Sequence, residues 1–383
     1  MLRIVQPKGS PHLPRSSTDI PVRFVVLTKT RWHEPPRIRH QVTDMLVRRG
    51  HDVLFVERNA WLGRVNVRTE GKLMIARHGE MIHHQLRVVP WLSRLNATME
   101  AAGLDAIGLG TDPDTIILNF NYDHYFIRKL APRNTIVSVL NDDFIAAARW
   151  FSRREAARVL EATLRMSDHT LVVSHPLHDQ ARRFTDRTSL FFPWARRPYT
   201  LPASGRLRSE VLYWGYINDR IDLALVTELM ALGVIVNFIG PVSGTRKVAE
   251  LMEHRNARHH GQGQLDDFGE VLDRCACSIL PYDMTNAVVV ATTISNRAFD
   301  LLSAGFPLLY SPLPALLDAP TQVIRVCRTA GDYVEGLRES AATFDAVQPV
   351  IADFLRAHSE DERYSQLMTV IESARNLHRT FAD

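Results

Sequence analysis

Cysteine and lysine are scarce in this chain, and long apolar runs are absent. The three cysteines, Cys275, Cys277 and Cys327, are an odd number, and the C-x-C spacing of the first two lacks the second metal-type pair of a zinc ribbon. A disulfide framework is equally poorly served, so they read as reduced thiols in a core. No apolar stretch reaches the roughly 20 residues that a transmembrane helix requires, and the opening MLRIVQPKGSPHLPRSSTDIP lacks the apolar block of a signal peptide. The expected location is therefore the cytoplasm. Glycine (19) and proline (20) are near average frequency, and neither a fixed-period repeat nor a low-complexity tract occurs, which excludes collagenous, solenoid and linker-dominated chains.

What is present is the composition of an ordinary cored protein: 383 residues, 45% hydrophobic and 23% charged, enough for two or three domains. The formal charge of +4 hides an asymmetry. Residues 1–200 carry 30 Lys and Arg against 19 Asp and Glu, whereas residues 201–383 carry 16 against 23. A basic half suits nucleic acid, anionic lipid or a phosphate-bearing substrate, or is simply a solvated surface in which arginine dominates, since only five of the 46 basic residues are lysine.

Residues 1–20 hold three prolines and no periodic apolar pattern, and read as a loose leader. RFVVLT (23–28) is a buried strand. RIRHQVTDMLVRRG then spaces Ile38, Val42, Met45 and Leu46 as a helix closed by Gly50, and DVLFVE comes next as a second strand. This is a β-α-β unit with a parallel pairing. Apolar runs at Leu86–Val89, Thr115–Phe120, Thr135–Leu140 and Thr170–Val173 alternate with helical stretches such as AAARWFSRREAARVLEATLRM. After a proline- and arginine-containing interruption near 196–208 a second series begins: EVLYW, a helix over about Ile221–Leu232, GVIVNFIG, CSILPY and FPLLYS. The rhythm predicts an α/β protein of two Rossmann-like domains with parallel sheets facing a central cleft: an N-terminal domain at 21–200, a C-terminal one at 201–365, and a helix at 366–383 packing back on the first.

Ligands of such sheets bind beyond the carboxyl ends of the strands, so the loops there carry the chemistry. The segment 281–312 is the most informative. A strand ends at Pro281-Tyr282, and a helix opening near Ser295-Asn296-Arg297 runs to Gly305. Exposed amides at that start, with Arg297, make an anion site suited to a pyrophosphate, and Asp300 is placed to accept from ribose hydroxyls. The same residues also serve a plainer use, with Ser295 as an N-cap and Asp300 as a first-turn acid favoured by the helix dipole.

ISNRAFDLLSAGFPLLY (294–310) resembles the donor-site helix of GT-B glycosyltransferases, in which a basic residue precedes an acidic or amide residue by three and the helix ends in a small residue, Gly, any residue, then Pro. YWGYINDRIDLALVTELMALGVIVNFIG resembles the first strand, glycine turn and helix of their nucleotide-binding domain, which implies donor contacts at Gly215 and Tyr216. GQGQLDDFGEVLDRCACSILPY resembles the segment ending beside the base, which places Tyr282 at the donor. EPPRIRHQVTDMLVRRG resembles the acceptor-side opening of the xanthan-type glucuronosyltransferases, which act on lipid-linked sugars. The resemblance thus implies transfer from a nucleotide-diphosphate donor, a UDP-sugar by preference, to a glycan or polyprenyl-diphosphate-linked saccharide in exopolysaccharide or envelope glycan synthesis. It also implies work at the inner face of the cytoplasmic membrane, with a peripheral contact to anionic lipid through arginines and Trp61, Trp91-Leu92 or Trp150-Phe151.

The commonest retaining bacterial GT-B enzymes carry two glutamates eight positions apart where this chain has Thr292 and Asp300. An inverting reaction is therefore expected, with a carboxylate of the N-terminal domain deprotonating the acceptor. The Asp142-Asp143 pair, directly after a strand, is the candidate; the resemblance to the xanthan-type group maps the role onto either, and one of them can equally cap the following helix. Trp32, His33, Glu34 and Arg37 in the first loop are candidates for holding the acceptor sugar or its phosphate, with Trp32 otherwise packing on the sheet. No metal or cofactor beyond the co-substrate is expected: Asp112-Pro113-Asp114 precedes a strand and reads as a turn, Gly108-Leu109-Gly110 lacks a third glycine, and the pairs His83-His84 and His259-His260 direct their side chains apart. A nucleotide-sugar 2-epimerase and a noncatalytic nucleotide-sugar-binding homologue are the alternatives, and no nucleic-acid-binding module is present.

Overall fold

The computed structural model describes residues 21–34, 37–57, 60–61, 65–77, 79–80, 90–148, 152–290, 294, 296–314 and 318–380. The leader 1–20, the expected strand at 86–89, His83-His84, Trp150-Phe151, Thr292 and Ser295 lie outside the described residues, as does the side chain of Trp61.

Sixteen strands succeed one another along the described chain: β1 (Arg23–Leu27), β2 (Asp52–Val56), β3 (Ala60–Trp61), β4 (Asn66–Glu70), β5 (Leu73–Arg77), β6 (Gly79–Glu80), β7 (Ile116–Asn119), β8 (Ile136–Leu140), β9 (His169–Val172), β10 (Thr188–Leu190), β11 (Glu210–Trp214), β12 (Val236–Ile239), β13 (Ala257–His259), β14 (Cys275–Leu280), β15 (Leu308–Tyr310) and β16 (Ile324–Val326). The first sheet has the order β10-β9-β8-β7-β1-β2-β5-β4 and the second β13-β12-β11-β14-β15-β16, with β3 and β6 as a separate ladder. Every pairing in the second sheet is parallel. In the first, only the edge pair β4–β5 is antiparallel. That edge strand, NVRTE, is mostly exposed and has no apolar run, which is why the sequence pattern does not announce it.

Both faces of each sheet are covered, so the strands read as continuous apolar runs. In β1, Phe24 and Val26 enter one core cluster while Val25 and Leu27 enter the opposite one. In β11, Leu212 faces one cluster and Val211 and Tyr213 the other. Cys275, Cys277 and Cys327 are buried, unpaired thiols of the second domain's core. Burial pushes Cys275 and Cys327 each up to about 12, so they behave as small apolar side chains.

Two long helices close the chain. Ala330–Ala357 packs along the second sheet, placing Phe344, Val347 and Ile351 on one of its faces and Tyr333 and Leu337 on the other. Glu360–Thr380 lies against the first sheet, with Tyr364, Leu367 and Ile371 inside that sheet's core. This helix starts six residues before the division drawn at 366. The chain therefore leaves the N-terminal sheet once, at 191–209, and returns to it at 358–360.

Candidate active site

A cavity of about 430 Å³ lies between the two sheets and is lined from both. Its floor consists of strand ends and the residues just beyond them: Asn141 and Asp142 after β8, Val173 after β9, and Trp214 and Gly215 at the end of β11. Arg37, Ile38 and Arg39 enter from the start of the helix Ile38–Arg48, and Asn296 and Arg297 from the start of the helix Asn296–Ser303. Arg196 and Arg220 complete a wall in which, among the described lining residues, five are arginines and one is a carboxylate, Asp142. Such a cavity attracts a compact polyanion.

Arg297 is the most firmly placed of the five. Its Nη2 donates to the Tyr282 hydroxyl (2.6 Å) and its Nη1 to the Tyr213 hydroxyl (3.2 Å), and the Tyr213 hydroxyl donates in turn to the Tyr216 carbonyl (2.7 Å). The guanidinium also stands 5.2 Å from the centre of the Tyr213 ring. Its Nε is buried with no hydrogen-bond partner among the described residues. Gly215 has φ +135°, and a Cβ there would fall 2.1 Å from Arg297 Nη1, so only glycine leaves the guanidinium its place. Tyr216 contributes its carbonyl to this chain, while its ring is 57% exposed and outside the cavity lining.

Asp300 is 2% exposed and faces Arg196 of the connecting segment. Arg196 Nε donates to Oδ2 (3.1 Å), Arg196 Nη2 forms a further short contact with Oδ2, and the Arg196 amide reaches Oδ1 (3.3 Å). Its carboxylate is thus occupied within the protein and holds an arginine at the cavity, an arrangement between residues 104 apart that no local pattern reveals.

The adjacent acids after β8 differ sharply. Asp143 Oδ1 accepts from the amides of Ile145 (3.1 Å) and Ala146 (2.9 Å) and from Gln180 Nε2 (3.2 Å), as the cap of the following turn. Asp142 accepts only the Asp143 amide (3.0 Å) among the described residues and lines the cavity. Its carboxyl is exposed to the cleft, and partial desolvation by the surrounding protein raises its pKa, opposed by the Asp143 amide and by Arg39 and Arg37.

In the first loop only Arg37 of the four candidates lines the cavity. Trp32 packs edge-on against Phe55, with ring centres 5.0 Å apart, and its amide donates to the buried Glu57 (2.6 Å). His33 meets Arg68 at the surface (3.0 Å), and Glu34 turns back through its amide to the Arg31 carbonyl (3.1 Å). Arg39, which sequence patterning assigns only to a helix, is 8% exposed, is held by Thr28 Oγ1 (3.2 Å) and reaches the cavity. Asp112 accepts from the Asp114 amide (3.1 Å) and Thr115 hydroxyl (2.8 Å), an Asx turn. His259 and His260 bond to different partners, the Gly240 carbonyl and Asn237.

No family model matches the chain, and no curated protein sequence matches it. Solved structures do. A sucrose-phosphate synthase from Thermosynechococcus elongatus aligns over 94% of this chain and 99% of its own, with a TM-score of 0.62 at 11% identity. A trehalose-6-phosphate structure from E. coli bound with UDP-2-fluoro glucose aligns over 91% and 98%, also at 0.62 and 11%. A trehalose 6-phosphate synthase from Burkholderia multivorans aligns over 94% and 100%, at 0.61 and 11%. With two α/β sheets, parallel but for one edge strand, facing one cleft and alignment over more than nine-tenths of the chain (91–94%) to these structures, the chain has the GT-B glycosyltransferase fold.

Proposed function

We propose that this protein is a glycosyltransferase that takes a sugar from a nucleoside diphosphate donor, a UDP-sugar by preference, and moves it to a hydroxyl of a glycan or polyprenyl-diphosphate-linked acceptor. The observation that carries the proposal is the cavity between the sheets, in whose lining one carboxylate, Asp142, is set among five arginines, with Arg220 and Arg297 contributed from the C-terminal side. The donor's diphosphate lies at Arg297 and Arg220, whose charge neutralises the oxygens on which negative charge grows as the sugar leaves. A cationic wall does here what a metal ion does elsewhere.

Asp142 is the base. It takes the acceptor hydroxyl's proton as that oxygen bonds to the anomeric carbon, the bond from that carbon to the diphosphate breaks, and the nucleoside diphosphate leaves with the electron pair. Attack from the face opposite the leaving group inverts the configuration. Asp143 holds the turn that presents Asp142. Retention is the second reading, because a trehalose-6-phosphate synthase among the structural neighbours is described as transferring with retention.

The acceptor enters past Arg37 and Arg39. An exopolysaccharide or envelope pathway at the inner membrane face suits the basic N-terminal half and Trp91, which is 65% exposed at the start of the helix Pro90–Ala106. No helix among the described residues is long and apolar enough to cross a membrane. Release of UDP from UDP-sugars with an acceptor panel, with product configuration read by NMR, is the test. Acceptor-dependent release with inversion is the expected result; retention reassigns Asp142, conversion of the donor to its epimer without acceptor points to an epimerase, and binding without turnover points to a noncatalytic homologue.

A further inference from the structure

We infer that Arg196 is a ligand of the donor diphosphate, and that Asp300 is the positioning residue that delivers it. The inference rests on the donor reading above. Arg196 belongs to the segment 191–209 that joins the two sheets, and nothing in its local sequence marks it as functional. The structure gives it a fixed geometry instead. Asp300 is almost fully buried and takes the Nε and Nη2 edge of the guanidinium, leaving Nη1 with no hydrogen bond to the described residues at a side chain that remains 35% exposed and lines the cavity. A buried carboxylate that binds one edge of an arginine orients the other edge, which reduces what phosphate binding must spend in ordering a long side chain.

Helical spacing explains why this places two cations together. Asp300 comes three residues after Arg297 in the helix Asn296–Ser303, so the two side chains share a face. Arg297, fixed by Tyr282 and Tyr213, and Arg196, fixed by Asp300, therefore line the same cavity with Arg220. Asp300 itself does not meet the ribose, because its oxygens are engaged by Arg196. Since Arg196 lies on the connection between the domains, a bound diphosphate also ties that connection to the C-terminal wall.

The test is calorimetric titration of the full chain with UDP and with uridine, for wild type, Arg196→Ala, Arg196→Lys, Asp300→Asn and the double variant Arg196→Ala/Asp300→Asn, with GDP, ADP and dTDP in reserve for the nucleotide. Arg197→Ala is the control, removing an equal charge one residue away from a side chain that pairs with Asp266 outside the cavity. Arg196→Ala should weaken UDP binding by about tenfold or more and leave uridine within about twofold, with Arg196→Lys recovering only part. Asp300→Asn should reproduce that loss, and the double variant should be no worse than either single one. Unchanged UDP affinity in Arg196→Ala, an equal loss for uridine, or an equal loss in Arg197→Ala overturns the assignment of Arg196. Additive losses in the double variant overturn the positioning role. If Asp300→Asn has no cooperative melt, the Arg196 variants and the uridine comparison decide alone. A wild type that binds none of the four diphosphates overturns this inference together with the donor reading, whereas binding that ignores Arg196 overturns this inference only.

Discussion

Asp142 and Asp143 are neighbours of identical chemistry, and the difference between them comes from what surrounds each carboxylate. Asp143 satisfies two backbone amides and a glutamine, and Asp142 faces the cavity. The sequence narrows the proposed base to this pair without separating its members, because the separating contacts are a turn geometry and a distant Gln180. Desolvation raises Asp142's pKa, which has two consequences of opposite sign. As a base it works only when ionised, so kcat should climb as pH rises through that raised value and fall as pH drops through it. For folding, the protonated form is favoured, so its contribution is fully present below the ordinary carboxylate range and is lost as pH rises through the raised value. Asp142→Asn, which never ionises, should therefore cut kcat by about 10²- to 10⁴-fold while melting at or above the wild-type temperature near pH 7.5. Asp143→Ala should lose about 1 kcal/mol in denaturant titrations and, because it loosens the turn that presents Asp142 without removing that carboxylate, lower turnover less than Asp142→Asn does.

At the scale of elements, the strand rhythm and the loops after strands were legible because parallel strands buried on both faces are unbroken apolar runs. The glycine turn after EVLYW was legible too, although its physical role was not. Gly215 is needed because Arg297 occupies the space a Cβ would take, and Gly240 (φ +143°) packs against Gly215 in turn, with a Cβ there falling 2.0 Å from the Gly215 carbonyl oxygen. Gly215→Ala should thus act as an Arg297 lesion. UDP affinity should fall by about tenfold or more, the stability loss being only about 1 to 3 kcal/mol, and titration alongside chemical denaturation checks both. Trp32 shows the converse limit. Its aromatic, cleft-side position invited an acceptor role, but Phe55, His40 and Glu57 lie close enough to claim it for packing.

The whole molecule is held together by chain that returns. The helix Glu360–Thr380 comes after the entire C-terminal domain in sequence yet completes the core of the N-terminal one, where Leu367 and Ile371 are buried and the Tyr364 hydroxyl meets His51 (2.7 Å). Ile371→Ala should cost about 2 to 5 kcal/mol, with hydrogen exchange rising in β1 and β2 of the first sheet while the second sheet keeps its protection. The sequence reading expects a C-terminal helix to pack back on the first domain, but not the arginine wall, because Arg37 and Arg39, Arg196, Arg220 and Arg297 come from four separate stretches of chain.

That wall makes one claim that a single experiment reaches. Thermal melting of the full chain should be followed over a UDP titration, in wild type and Arg297→Ala, because a ligand that binds only the folded state raises the melting temperature. Wild type should show an upward shift that grows with the logarithm of UDP concentration above Kd, about 2.7 kcal/mol of added stability at a hundredfold excess, and the variant little or no shift. Equal shifts in both proteins would contradict the placement of the diphosphate at Arg297. No shift with UDP, GDP, dTDP or ADP would contradict the donor site itself.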